Sequence, residues 1–262
     1  MKAPPAPPAV DHVLYCLSQP SLSATAAREL LAAVAPAAVQ AGVTCPVTAI
    51  RLEGEGPGLA QALDRAHAGG ARRLLVQPLG LPMAANILAW LPGAVAHWQA
   101  QAGAGVEVLL GAPPGPGAVL PALVSACAGT ARLPAAAIAP SLGKPGWQYP
   151  PDHDTHILVC TGPRCAFRGA GTLAQRLKAR LAGAGLAKRC LTTSTGCIFP
   201  CNQGPVIALY PRGEWYRVPD EAALARIVEV AIGAGRRLPE LLLETRPQPR
   251  ATRISNPERS LT

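Results

Sequence analysis

Aromatic residues are scarce in this 262-residue chain, at 4%, and no apolar stretch reaches the length of a membrane span although 49% of the residues are hydrophobic. Gly, Pro or a charge breaks every run, so no transmembrane helix is expected. The opening segment, Met1 to Val10, is rich in Pro and Ala with a single Lys2. It lacks the apolar centre of a signal peptide, which points to the cytoplasm. No phosphate-binding signature is present either. The glycines of Gly54-Glu55-Gly56-Pro57-Gly58 and of Gly111 to Gly117 are interrupted by prolines where a phosphate-receiving helix would start, so both stretches read as turns rather than as a nucleotide site.

Acidic residues are few, 15 against 24 Lys and Arg, and the imbalance is local. Residues 1–154 hold eight basic and eight acidic residues, residues 155–235 ten against four, and the remainder six against three. The basic residues are not interleaved with exposed aromatics and no nucleic-acid motif accompanies them, which argues against a nucleic-acid partner. Two readings remain for the basic excess: Arg164, Arg168 and Arg212 offset an anionic centre, or they form a docking face for an acidic partner.

Eight cysteines in a reducing compartment fit metal binding better than disulfides. Four of them form two tight pairs, Cys160-Thr161-Gly162-Pro163-Arg164-Cys165 and Cys197-Ile198-Phe199-Pro200-Cys201, about thirty residues apart. Four thiolates at close quarters repel one another unless a metal centre neutralises them, and three or four intervening residues let each loop fold back on one centre. Zinc accepts four sulfurs, as does a 2Fe-2S cluster. The first pair follows a short strand, His156 to Val159, on a loop leading to an amphipathic helix from Gly169 to Ala184, with Leu173, Leu177 and Leu181 on one face. The second pair follows a strand at Lys188 to Thr193. Val206 to Tyr210 reads as a central strand, Pro211-Arg212-Gly213 as a hairpin turn into Trp215 to Val218, and Asp220 as the N-cap of a helix from Glu221 to about Ile232.

Taken in order, Val159-Cys160-Thr161-Gly162, the two cysteine pairs, Asn202-Gln203-Gly204-Pro205-Val206 and Tyr210-Pro211-Arg212-Gly213-Glu214-Trp215-Tyr216 resemble the thioredoxin-like 2Fe-2S ferredoxins over residues 155–245. That resemblance implies a 2Fe-2S cluster ligated by Cys160, Cys165, Cys197 and Cys201, with Cys190 outside the ligand set. Gly162, Gly196 and Gly204 would let backbone amides approach the sulfurs, and Phe199 and Pro200 would shield the cluster without ligating it.

Residues 10–130 read as a separate unit in which strand and helix alternate four times, the pattern of a parallel sheet covered by helices. Arg72-Arg73-Leu74-Leu75-Val76-Gln77-Pro78-Leu79-Gly80-Leu81, followed by Leu91-Pro92, is similar to the short sirohydrochlorin cobaltochelatases. The departures fall at the metal-handling positions. Cys16-Leu17-Ser18 stands where that family has a histidine turn, Asn86 where it has a second histidine, and Trp90 where it has an acidic residue. Asn86 is a poor ligand and no base, and His12, His67, His97, His153 and His156 do not restore the site. The resemblance therefore implies a degenerate chelatase-like domain used for binding, and a homodimer. Cys45 and Cys127 read as small buried residues, and Trp90 and Trp98 as one core or interface face.

The fold class expected is α/β: a chelatase-like parallel-sheet domain at 10–130, a proline-rich linker at 131–154, a thioredoxin-like α/β ferredoxin domain at 155–245, and a flexible tail at 246–262. The function expected is 2Fe-2S electron transfer in tetrapyrrole (cobalamin or sirohaem) metabolism, with a redox partner of acidic surface and a tetrapyrrole as ligand. Two alternatives stand beside it: an active cobalt or iron chelatase in which Cys16 replaces the histidine and the cluster senses redox state, and a zinc-binding interaction module.

Overall fold

The structure, a computed structural model, describes residues 9–19, 22–80, 83–102, 105–130, 134 and 148–243. Most of the segment expected as a linker and all of the expected tail at 246–262 lie outside the described residues.

The first half is built on four parallel strands, β1 (His12–Leu17), β2 (Val47–Arg51), β3 (Arg73–Pro78) and β4 (Glu107–Leu110), in the order β2-β1-β3-β4. Helices α1 (Ala24–Gln40), α2 (Leu59–Ala68), α3 (Ala85–Ala102) and α4 (Pro116–Ala128) connect or follow them. The Ser23 hydroxyl accepts from the Ala26 amide and starts α1. One face of the sheet carries the core of this half, where Leu14, Ile50, Leu74 and Val76 pack with Leu63, Ile87 and Leu91 of the helices. Trp98 belongs to this core, its Nε1 donating to Asp64 Oδ1 over 2.7 Å. The helix α4 buries no residue and leaves Leu120, Leu123 and Val124 exposed.

The second half is a mixed sheet of β5 (Thr155–Cys160), β6 (Cys190–Thr195), β7 (Val206–Tyr210) and β8 (Glu214–Arg217), ordered β6-β5-β7-β8. β5 runs parallel to β6 and antiparallel to β7, and β8 returns antiparallel through the expected hairpin. Strand β7 is interior and buried from Val206 to Leu209, as its unbroken apolar run requires. Between β5 and β6 come α5 (Pro163–Phe167) and α6 (Leu173–Gly183), which seats Leu173, Leu177 and Leu181 against Ile157, Val159 and Ile207. Burying each of these leucines stabilises the unit by about 2 kcal/mol.

Two expectations change here. The helix expected over Gly169–Ala184 is divided, with a short 3₁₀ turn at Ala170–Thr172 before α6. The final helix is α-helical only in α7 (Glu221–Arg226), capped by Asp220 on the Ala223 amide over 2.7 Å, and continues as a π-helix over Ile227–Gly233. Beyond it, Leu241 and Leu243 exchange backbone hydrogen bonds with Arg217 and Trp215, fastening residues 241–243 to β8.

The halves touch. The loop after β2, read from sequence as a plain turn, donates from Gly54 N to Thr161 O and from Gly56 N to Gly171 O, each over 2.9 Å. A side chain on Gly58 would collide with the Ala166 carbonyl and one on Gly171 with the Gly56 carbonyl, so these glycines permit the approach. Phe167 reaches across to meet Trp90 edge-to-face with ring centres 6.1 Å apart and to lie tilted against His97. Trp90 and Trp98 therefore divide their work, one facing the other half of the chain and one facing its own core.

Candidate functional site

Cys160 is the last residue of β5 and Cys165 lies on α5, each 2% exposed. Sequence spacing put both on one loop. In the structure Gly162 caps a short helix with Pro163 in its first turn, a position where proline's fixed φ and missing N–H cost nothing. That helix returns Cys165 to the end of the strand. The second pair sits on the loop between β6 and β7, with Cys197 exposed and Cys201 opening a 3₁₀ turn to Gln203. Their sulfurs are 3.1 Å apart.

The pairs meet because two glycines leave room. A side chain on Gly162 would stand 2.8 Å from Cys197 Cβ, and one on Gly204 would stand 2.5 Å from Cys165 Sγ. The glycine of each loop thus faces a cysteine of the other loop. Cys160 Sγ receives the Cys165 thiol and the Ile198 and Gly162 amides, which outweigh its burial and bring its pKa down to about 6. Cys165 is held well above the ordinary thiol range, first because it donates to Cys160 and then by burial and the neighbouring charge. Cys197 is raised by burial and by its contact with Cys201, although the Phe199 amide opposes this.

Amides of Gly162, Ile198, Phe199 and Val206 are aimed at the Cys160, Cys165 and Cys197 sulfurs, and Gly162 is one of the three glycines named from sequence. Phe199 is 69% exposed, while its neighbour Ile198 packs on the core. One further expectation is corrected. Arg212 lies in the β7–β8 turn, at the opposite end of the sheet from the thiols, where Nη2 meets Glu214 at 3.0 Å and donates to the Ala231 carbonyl. Arg168 does stand at the site, donating from Nη1 to the Cys201 carbonyl over 2.7 Å.

Cys190 opens β6 opposite Thr155, whereas Cys160 pairs with Thr195. Five strand positions, roughly 16 Å at strand rise, separate Cys190 from the four thiols.

At the strand ends of the first half, Cys16 is fully buried, and burial pushes its thiol up to about 12. Its Sγ points to the Leu14 carbonyl at 3.8 Å, so it presents no thiolate to a ligand. Asn86 is exposed, Ser18 donates to Glu53 over 2.5 Å, and His12 is engaged by Thr48. Among the described residues no three His, Cys, Asp or Glu side chains form a single-ion cage. Cys45 and Cys127, read from sequence as buried, are half-buried and exposed respectively. No helix among the described residues is long and apolar enough to cross a membrane.

Two thiol pairs, gathered from separate loops at one end of a mixed sheet, define the class: an α/β protein with a cysteine-rich centre. Over 88 residues the chain is 34% identical to a protein of Priestia megaterium described as a 2Fe-2S ferredoxin, spanning 34% of this chain and 68% of that one. It is 30% identical over 88 residues to the 2Fe-2S ferredoxin of Clostridium pasteurianum, spanning 30% of this chain and 86% of that protein. A solved thioredoxin-like [2Fe-2S] ferredoxin from Aquifex aeolicus matches with 27% identity and a TM-score of 0.33, over 36% of this chain and 99% of its own. No family model matches the chain. The chain belongs to the 2Fe-2S ferredoxins.

Proposed function

We propose that Cys160, Cys165, Cys197 and Cys201 hold the 2Fe-2S cluster and that the chain is a one-electron carrier. The observation that carries this is the meeting of the two thiol pairs across Gly162 and Gly204, with backbone amides already directed at the sulfurs. When bound, a 2Fe-2S centre accepts and returns a single electron. The Ile198, Gly162, Phe199 and Val206 amides stabilise negative charge on the sulfurs, and Ile198 keeps water from one side. Cys160, whose pKa its neighbours bring down to about 6, would be a ready thiolate ligand for the cluster.

Arg164 and Arg168 flank the same end of the sheet beside Cys201 and Asn202, in a shallow groove that also exposes His97. This end fits an acidic redox partner, and electron-transfer rates that fall as salt rises would support it.

The half comprising residues 10–130 serves as a binding unit, with a tetrapyrrole pathway as its setting. Two features favour binding over metal insertion: Cys16 is buried and protonated, and Asn86 offers no base. The apolar face of α4, at Leu120, Leu123 and Val124, is consistent with a homodimer.

Anaerobically purified protein, measured by absorption and paramagnetic resonance before and after dithionite, tests the main reading. A reducible cluster spectrum is expected; a colourless protein assembled with ample iron and sulfide overturns it. Incubation with sirohydrochlorin and Co²⁺ tests the second half, where turnover above the spontaneous rate would show a working chelatase.

A further inference from the structure

Between the two halves lies a cleft of about 720 Å³ that the thiol site does not use. Arg51, the last residue of β2, lines it and is only 9% exposed. Among the described residues its guanidinium has one partner, the Gln19 carbonyl, which accepts from Nη2 over 2.7 Å. Nε is buried with no partner, and no carboxylate pairs with Arg51 among the described ion pairs. A buried cation without counter-charge is costly, so its retention calls for an anion.

The surroundings are shaped around that cation. Gly54 has a φ of +89°, and a side chain there would strike Arg51 Nη2 at 2.8 Å, so the glycine both makes the turn and leaves the guanidinium its place. Arg28 brings a second cation from α1. Thr161, Ser194 and Thr195 also line the cleft, on the segments that carry Cys160 and Cys197. Leu22, Ala27 and Leu31 supply an apolar side.

The donors fit a carboxylate better than a phosphate. A planar guanidinium grips either group. The loop amides that a phosphate would recruit are spent, however, Gly54 N on Thr161 O and Gly56 N on Gly171 O. Glu55 at the rim, held by Gln175 Nε2 over 3.1 Å, also repels a dianion more strongly than a monoanion. We propose that this cleft binds a small organic carboxylate, its charged end on Arg51 and Arg28 and its apolar body against Leu22, Ala27 and Leu31.

Calorimetric titration of the full cluster-loaded chain with octanoate, octanamide and inorganic phosphate tests the site, and the visible spectrum recorded first keeps the result separate from the cluster assignment. Saturable binding of octanoate alone is expected, weakened at least about tenfold in Arg51→Gln and in Arg28→Gln. Arg28 is exposed on α1, so its variant carries the test if Arg51→Gln does not fold. Absence of octanoate binding to the unaltered chain, unchanged affinity in the folded variants, or equal binding of octanamide or phosphate would each overturn the proposal.

Discussion

Cys165 Sγ lies 2.5 Å from the point where a side chain on Gly204 would begin. No residue with a Cβ fits between those two loops without moving them, so the absence of an atom at position 204 is part of what holds the thiols together. Gly204→Ala is expected to lower cluster content at least severalfold, read as visible absorbance per protein, because the methyl forces Cys165 or the 201–204 turn aside. At Gly196 nothing stands within 4 Å of an added side chain, so Gly196→Ala should keep the full spectrum. Equal spectra from the two variants would separate the glycine from the site.

The ligand assignment has its own pair of variants. Cys197→Ser is expected to lose or strongly alter the visible and paramagnetic signals, since it removes one of the four gathered sulfurs. Cys190→Ser, at the far end of β6, should leave both unchanged. The reverse result would transfer the ligand role to Cys190.

Phe167 sits on the ferredoxin half yet packs with the core of the other half and meets Trp90 edge-to-face. Its truncation to Ala removes both contacts and is expected to lower stability by about 2 kcal/mol in urea unfolding followed by tryptophan fluorescence. An unchanged midpoint would mean that the two halves do not rest on one another in solution.

Glu214 is 5% exposed and accepts from Tyr216 Oη over 2.8 Å and from Arg237 Nε over 2.9 Å, with Arg212 Nη2 3.0 Å away. Burial alone would raise its pKa, but these three partners outweigh burial and the net shift is downward from 4.5. A carboxyl lowered on folding stabilises the protein fully above its unfolded pKa, and the contribution fades as pH falls through the lower folded value. Glu214→Gln is therefore expected to cost about 2 kcal/mol at pH 7, with the gap to the unaltered protein closing at acid pH below about 4.5. A gap that stays constant from pH 7 to 3 would refute this role for the charge.

Much of this molecule is written in short-range pattern. The β–α alternation of the first half, the leucine stripe of α6, the buried run of β7 and the Asp220 cap follow from periods and caps a few residues long, and so does the pairing of the cysteines. The sequence also singled out the basic excess of the second half, though not where each arginine would point. Only the tertiary structure decided that Gly162 and Gly204 face cysteines of the opposite loop, that Arg212 lies at the far end of the sheet, and that Phe199 and Cys127 are exposed. It also turned a glycine-rich stretch, read as an ordinary turn, into the seam between the halves and the wall of a cleft holding Arg51. These outcomes depend on strand register and on close approach between segments distant in the chain, where the deciding atoms belong to other elements and local spacing carries no record of them.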